Sequence, residues 1–391
     1  MKKLLWVGDA GVPSGFARAT HEILDVLRKT YDITVLGMSY RGDPHDYPYP
    51  IYAAMAGGDQ MGLGRLIWMC DTVKPDVIVL QNDPWNIPAY IQLLADFPEH
   101  ANIPVVACVA VDGKNVPTRS MNGLAHAIFW TQFGLDEARI GGYNGPASVI
   151  PLGVDLNVYF PLDKKEARQR RTSSDFYQDK FIVGNVNRNQ PRKRWDLTIK
   201  YFAQWVEWMH VEDAFLYLHV APTGDKGVNV QQLCKYYGIL ERLMLVEPHV
   251  FYGIAEHEMR DTCNCFDVSI NTGQGEGFGL TTIEAMACGV PCIAPDWSGL
   301  GDWAKDAIEL IPCTSTAVGP PYINVIGGIP DQAMFMAALD KVYRDHSHRA
   351  TLRKLGLRRA AEMRFNWKHI GERYVEEIGR VLQPSESLTE A

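Results

Sequence analysis

No stretch of this 391-residue chain approaches the roughly 18 consecutive apolar residues that a bilayer-crossing helix needs, so nothing in it is expected to span a membrane. The opening run, residues 1–7, is apolar for too short a distance before Gly8 and Asp9 interrupt it, which argues against a secretory leader. Positive charge is also scarce. The 38 Lys and Arg stand against 46 Asp and Glu, a net charge of −8, which disfavours broad attraction to nucleic acid or to anionic lipid. Metal-ligand spacing is missing as well: the eight cysteines are scattered, and neither Cys263-x-Cys265 nor Cys288-x3-Cys292 makes a strong zinc signature. Several of them sit in apolar runs, so reduced, buried thiols in a cytoplasmic protein are expected. Internal repeats of 20–50 residues and low-complexity tracts are likewise absent. What remains is a composition of 47% hydrophobic and 21% charged residues, suited to packed cores and long enough for two domains.

The strand–helix pattern runs through the chain twice. Residues 4–7 read as a strand, 8–15 as a loop and 16–29 as a helix with Ile23, Val26 and Leu27 on its apolar face. Strands are expected at 33–36, 77–80, 105–111 and 125–130, with helices at 64–73 and 87–94. Their near-continuous apolar runs suit a parallel sheet covered on both faces, so residues 1–148 are expected to form a doubly wound α/β domain. A turn-rich joint at 151–155 opens a second domain of Rossmann type over 149–366, with a charged segment at 163–180 and strands at 181–186, 215–220, 243–245, 266–270 and 292–294. A helix over 195–206 follows the first of these, the tail from 332 to 382 is largely helical, and 385–391 look frayed. In such folds ligands sit outside the carboxyl ends of the strands, so two such domains imply a cleft between them.

Residues 271–291, NTGQGEGFGLTTIEAMACGVP, concentrate the chemistry. A buried strand leads into a turn containing Gly273, Gly275, Gly277 and Gly279, then into a helix over 280–288. Glycine lets a ligand approach the backbone, and a helix N-terminus offers unpaired N–H groups and the positive end of its dipole to an anion. Glu276 in the turn and Glu284 in the helix are separated by seven residues. Arg188, just past the strand at 181–186, and Lys193, five residues on, leave a corresponding strand exit. Those two cations can meet a diphosphate, Arg as a fork and Lys as a point charge, leaving Glu276 and Glu284 to accept hydrogen bonds from sugar hydroxyls. Against this stands a solvated charge run at Arg188, Arg192, Lys193 and Arg194 with ordinary surface carboxylates.

These residues carry a resemblance. The chain resembles the retaining nucleotide-sugar glycosyltransferases of family 4, which have the GT-B fold: two Rossmann-like domains facing a central cleft, with a C-terminal helix returning to the first domain. The family's Glu-x7-Glu motif falls on Glu276 through Glu284, and its Arg followed five residues later by Lys falls on Arg188 and Lys193. Arg194 stands where the family usually has Gly. The joint at 149–155 with Phe160-Pro161, and Phe365-Asn366-Trp367, match further family landmarks. The resemblance implies an acceptor domain over 1–148, a donor domain over 149–366 and a closing helix over 367–384.

By that resemblance Arg188 and Lys193 neutralise the donor diphosphate, Glu276 contacts the donor sugar and Glu284 the ribose. The backbone at Gly277, Phe278, Gly279 and Leu280 holds sugar and phosphate. No metal or other cofactor is implied, since two cations stand in for one, and attack from the same face explains retention without a nucleophilic carboxylate. In the first domain Gly11 and Gly15 resemble the family's early glycine loop, which touches the donor phosphate and the acceptor, so Gly15 is expected to bind the donor; Ser14 and Arg18 add contacts there or merely form a loop and helix cap. Asp112 stands where the family often has His, to touch the sugar or serve the acceptor, and Asp83 is a candidate acceptor contact. UDP- and GDP-sugars are the usual donors. Residues 1–148 hold 11 Lys and Arg against 15 Asp and Glu, which favours a soluble acceptor over a membrane-bound one. A phage-type branch that modifies 5-hydroxymethylpyrimidines in DNA is one option, with 164–171 and 192–194 as basic stretches for the strand backbone. A cell-surface glycan or small-molecule transferase, a sugar-nucleotide 2-epimerase and a non-catalytic sugar-nucleotide binder are the others.

Overall fold

The computed structural model describes residues 1–172, 174–245 and 253–383. The chain forms two compact units. The first comprises Met1–Val111, Val116–Leu152 and the chain from Trp367 on; the second comprises Asp112–Asn115 and Gly153–Asn366.

In the first unit the elements run β1 (Lys2–Asp9), α1 (Gly15–Leu27), β2 (Tyr31–Met38), β3 (Ile51–Ala53), α2 (Leu63–Val73), β4 (Val77–Asn82), α3 (Ile87–Ala95), β5 (Val105–Val109), β6 (His126–Phe129), α4 (Gln132–Ile140) and β7 (Ala147–Val149). They build a seven-stranded parallel sheet in the order β3-β2-β1-β4-β5-β6-β7. The apolar strands β4 and β5 are buried along their whole length, as burial on both faces requires. Helix starts follow local chemistry: Ser14 accepts from the Ala17 N–H to cap α1, and Thr131 accepts from Gly134 to cap α4. The last helix, Trp367–Leu382, packs on α1 within this unit. Gly371 makes that approach possible, because a Cβ there would lie 2.4 Å from the Val26 Cβ.

In the second unit the order is α5 (Lys164–Thr172), β8 (Phe181–Val186), α6 (Trp195–Trp208), β9 (Ala214–His219), α7 (Val230–Tyr236), β10 (Leu243–Leu245), α8 (Glu256–Asn264), β11 (Val268–Ile270), α9 (Leu280–Ala287), β12 (Cys292–Pro295), α10 (Ser298–Trp303), β13 (Glu309–Ile311), β14 (Cys313–Gly319), β15 (Val325–Pro330), α11 (Gln332–Arg344) and α12 (His346–Ala360). A six-stranded parallel sheet runs β10-β9-β8-β11-β12-β13, beside the antiparallel hairpin β14–β15. Its core gathers Trp205, Phe202, Leu216, Ile270, Ile293 and Phe335. In both sheets the strand order reverses beside the first strand, between β1 and β4 and between β8 and β11. A crevice opens at such a switch point.

Several elements escaped the sequence pattern: β3, β7, β13, α4, α7, α8, α10 and the hairpin β14–β15. Three of these strands are only three residues long, and the hairpin strands, CTSTAVG and VIGGIP, show no polar–apolar alternation, so their place is set by their partner rather than by a pattern of their own. Helix α5 forms inside what reads as a charged segment because Arg168 is buried, its guanidinium bonded to the Asp267 carboxylate and the Cys265 carbonyl. The eight cysteines are free thiols, seven of them buried.

The contact between α1 and the last helix yields a stability prediction. Gly371→Val should lower the free energy of unfolding of the first unit by about 1–3 kcal/mol through overpacking, read as a lower denaturant midpoint, while the exposed neighbour Glu372→Ala should change it little.

Candidate active site

Two loops leave the carboxyl ends of β8 and β11 at the switch point of the second unit. They are tied together beneath the site by a buried hydroxyl chain. Asn185 donates to Thr198 Oγ1 at 2.9 Å, Thr198 meets Thr272 at 2.6 Å, and Thr272 donates to the Arg194 carbonyl at 3.0 Å. Arg194 itself adopts φ +51°, a left-handed conformation that costs a residue bearing Cβ about 1–2 kcal/mol, and closes a fork on Asp196 at 2.8–2.9 Å.

Above this chain Lys193 and Glu276 form a buried ion pair, the Lys193 Nζ donating to both carboxylate oxygens at 2.6 Å. Asn271 Nδ2 donates to Glu276 Oε1 at 3.1 Å, and its own Oδ1 accepts from the Gly273 N–H at 2.7 Å. Ser298 fixes the Glu276 backbone, its Oγ accepting from the N–H at 2.8 Å and donating to the carbonyl at 3.1 Å. Burial, reinforced by the neighbouring Arg192, pushes the Lys193 ammonium down to about 8 against the pull of Glu276. Burial works to raise the Glu276 carboxyl, yet Lys193 and Arg192 outweigh it and hold it below its ordinary value. A charged pair at this depth persists only because each member is satisfied.

Arg192 extends the network outward. Its Nη1 donates to the Gly275 carbonyl at 3.0 Å and lies 3.3 Å from Asp112 Oδ2 and 3.8 Å from Glu276 Oε2. Asp112 belongs with Gly113, Lys114 and Asn115 to the second unit, although the chain before and after this segment builds the first. The reason is local: Lys114 exchanges two 2.9 Å backbone hydrogen bonds with Ile326 of β15, and Asn115 Nδ2 donates to the Asn324 carbonyl at 2.9 Å. The Lys114 ammonium also lies over the Trp297 ring, 4.8 Å from its centroid. Gly275 is required there, because a Cβ would fall 1.7 Å from the Asp112 carbonyl oxygen.

The residues singled out by sequence fall into three groups. Lys193, Glu276 and Asp112 come together as described. Arg188 instead forms an ion pair with Asp225 at 2.9 Å, its side chain 58% exposed. Beyond Glu276, the N–H groups of Gly277, Phe278, Gly279 and Leu280 take no acceptor among the described residues, and Gly279 turns into α9 at φ +95°. The Phe278 ring is buried, stacked on Trp303 at 4.9 Å, so this residue offers only backbone. Glu284 is buried on α9. In the first unit Ser14 caps α1 and donates to Asp9 at 2.7 Å, Gly15 opens that helix, and Arg18 lies in its first turn. Asp83 follows β4, its N–H donating to Asn82 Oδ1 at 2.8 Å.

Three residues of the network were missed. Arg192 reads as part of a charge run, and only its adjacency to Lys193 signals it. Asn271 stands at the strand end five positions before Glu276, and Ser298 carries no sequence signal. In the basic stretch 164–171, Lys164 and Arg168 pair with Asp267 at 2.6 Å, Arg170 with Asp261 at 3.2 Å and Arg171 with Glu258 at 3.5 Å. Those four cations are paired within the unit, and Lys165 of the same stretch is exposed. Among the described residues no cluster of three or more His, Cys, Asp or Glu is placed to hold a metal ion. The arrangement can bind an anion on the acceptor-free amides and the buried ammonium, with a fixed carboxylate beside them as hydrogen-bond acceptor.

The model of the family described as "Family 4 Glycosyltransferase in conflict systems" matches residues 147–373. A D-inositol 3-phosphate glycosyltransferase of Stackebrandtia nassauensis is 29% identical over 242 residues, 60% of this chain and 49% of that protein. Its counterpart in Geodermatophilus obscurus is 31% identical over 166 residues, 41% of this chain and 35% of that protein. The chain thus spans about half or less of the curated relatives it matches. Among solved structures, a sucrose-phosphate synthase from Thermosynechococcus elongatus superposes with a TM-score of 0.75 at 16% identity, covering 97% of this chain and 99% of the other. Anabaena HepE in complex with UDP and glucose gives 0.73 at 17% identity, covering 97% and 100%. At these identities the likeness is one of fold, and the fold is GT-B.

The buried pair gives a stability prediction. Lys193→Met leaves Glu276 inside with its nearest remaining cation at 3.8 Å, so it should cost about 3–5 kcal/mol of unfolding free energy. The double variant Lys193→Met with Glu276→Gln should recover most of that loss, as chemical denaturation of the three proteins would measure.

Proposed function

This chain belongs to the family 4 glycosyltransferases of conflict systems, and we propose that it moves a hexosyl group from a nucleoside-diphosphate sugar to an acceptor hydroxyl with retention at the anomeric carbon. The observation that carries the reading is the buried Lys193–Glu276 pair beside the N–H groups of residues 277–280, which take no acceptor among the described residues, at the switch point. A UDP-linked hexose is the first candidate donor, supported by the UDP and glucose named with HepE.

In this reading the diphosphate lies on the amides of Gly277 to Leu280 and on Lys193, and Arg188 exchanges Asp225 for phosphate oxygens. Glu276 accepts from hydroxyls of the donor sugar and Glu284 from the ribose. The bond from the anomeric carbon to the phosphate oxygen breaks, and the charge developing on that oxygen meets fixed cations and amides, which in a water-poor site is the largest contribution to such a step. The acceptor oxygen attacks from the same face, and its proton passes to the departing phosphate, giving glycoside and nucleoside diphosphate. Because side-chain cations and backbone amides carry the diphosphate, the step is proposed to need no metal. Ser14, Gly15 and Arg18 lie at the start of α1 and Asp83 just past β4, all in the first unit, which is proposed to present the acceptor.

The acceptor is proposed to be soluble. No helix among the described residues is long and apolar enough to cross a membrane, and four of the five cations at 164–171 are paired within the second unit. The proposed compartment is the cytoplasm. The acceptor panel follows from chemistry: inositol 3-phosphate, as named for the relatives, sugar phosphates, and DNA containing 5-hydroxymethylcytosine.

A thermal-shift panel of UDP- and GDP-hexoses should show one donor raising the melting temperature, since a ligand at a hundred times its Kd adds about 2.7 kcal/mol. No shift with any donor would overturn the reading. With that donor, Glu276→Ala should lower kcat/KM about a hundredfold; full turnover in this variant would refute the site. Incubating hydroxymethylcytosine DNA with each donor should give a hexosyl mass gain if DNA is the acceptor, and no gain removes DNA from the class. The pH dependence follows from Lys193. Its ammonium must be charged to meet the diphosphate, and it loses its proton above pH about 8, so kcat/KM should fall on the alkaline side near that pH. Lys193→Arg should abolish that limb, because a guanidinium stays charged throughout.

A further inference from the structure

Asp112 has a role that its position in sequence did not reveal. The resemblance gives this place to a His that touches the donor sugar; here a carboxylate stands in it, and its Oδ2 lies 3.3 Å from Arg192 Nη1. That same Nη1 donates to the carbonyl of Gly275, the residue before Glu276, and lies 3.8 Å from the Glu276 carboxylate. The charges run Asp112 −, Arg192 +, Glu276 −, Lys193 +, so the network is neutral as a whole. Its outer half is the more exposed: the Arg192 side chain is 40% accessible and that of Asp112 19%, against 9% for each member of the inner pair.

Asp112 is anchored by backbone rather than by chance of rotamer. The bridge between Lys114 and Ile326 adds one residue to the edge of the β14–β15 hairpin, and Asn115 is tied to Asn324. On the other side, the Asp112 carbonyl presses into the space left by the missing Cβ of Gly275. The Gln274 carbonyl in turn accepts from the Gly328 N–H of the same hairpin at 2.8 Å, and the Gln274 N–H donates to the Arg192 carbonyl at 2.8 Å. The loop before Glu276 is therefore gripped from the hairpin, from the Asp112 segment and from Arg192.

We infer that Asp112 and Arg192 are positioning residues that hold the loop of Gly275 and Glu276, so that the Glu276 carboxylate is set for the sugar of a nucleotide-sugar donor. Asp112 acts through Arg192, and Arg192 acts through the Gly275 carbonyl and Glu276. This assignment rests on Glu276 reading the donor sugar. It separates the sugar from the nucleotide: UDP alone, lacking the sugar, has no use for a correctly set Glu276. A guanidinium anchored on a carboxylate makes charge-assisted hydrogen bonds worth about 1.5 kcal/mol or more each, about tenfold in affinity.

The test titrates UDP-glucose and UDP, with GDP-mannose and GDP in parallel, into wild type, Asp112→Asn, Arg192→Ala and Arg192→Lys, each first checked for an unchanged thermal transition. Hydrogen exchange of peptides spanning 273–279 is followed in the same four proteins without nucleotide. The expected result is free-nucleotide affinity within about twofold of wild type, and an affinity for the nucleotide sugar lowered about tenfold in Asp112→Asn and Arg192→Ala. Arg192→Lys should recover part of the loss, and exchange at 273–279 should quicken in the two impaired variants. Equal loss for nucleotide and nucleotide sugar would overturn the inference, because Arg192 would then act on the diphosphate itself. Unchanged exchange at 273–279 would overturn it independently of any ligand. Failure of wild type to bind either nucleotide sugar would count against the proposed function instead, with the exchange arm still deciding whether Asp112 holds the loop.

Discussion

The ion pair between Lys193 and Glu276 is the interaction on which the site depends. Two opposite charges at 2.6 Å in a buried position are expensive to desolvate, and replacing them with apolar groups would often leave such a fold as stable or more so. Their presence is therefore better explained by a task than by stability. The fold makes the task possible: parallel strands deliver two loops to the same end of the sheet, and the reversal of strand order between β8 and β11 opens the space between them. The Thr198–Thr272 contact beneath and the Ser298 clasp above leave the Glu276 loop few alternatives. Preorganisation of this kind is what electrostatic catalysis requires, since polar groups already in place need not reorganise as charge develops.

Around the pair, strain and close approach recur. Ser298 at φ +52° and Arg194 at φ +51° both occupy a region that side chains with Cβ avoid. Each makes hydrogen bonds at the site, Ser298 to the Glu276 backbone and Arg194 to Asp196. Gly275 and the Asp112 carbonyl share a space that no larger residue could leave open. Strained or crowded residues gathered at one end of one sheet are a common mark of a functional site.

Much of this was legible in the chain. The alternation of apolar strands with amphipathic helices gave both sheets their main strands, and the glycine turn carrying Glu276 with the nearby Lys193 marked the candidate site. The less legible parts share a cause. Strands β3, β7 and β13 are too short for a period to show, and the hairpin β14–β15 is defined by partners far away in sequence. Arg188 and Arg192 are indistinguishable by composition, yet Asp225 draws one outward and Asp112 draws the other toward Glu276. The stretch 164–171 looked like a basic strip because Asp267, Asp261 and Glu258 lie about ninety or more positions away in sequence. Asp112 reads as a lone departure from a family pattern until the Lys114–Ile326 bridge shows which unit it belongs to.

The central claim is that one buried pair divides a nucleotide sugar between a cation for its diphosphate and a carboxylate for its sugar. A crystal structure of the protein with UDP-glucose tests this most directly. The account predicts a diphosphate oxygen within hydrogen-bond distance of Lys193 Nζ and of the amides at 277–280, with a glucose hydroxyl donating to Glu276. UDP-glucose bound elsewhere, or bound with Glu276 touching no sugar hydroxyl, would contradict it.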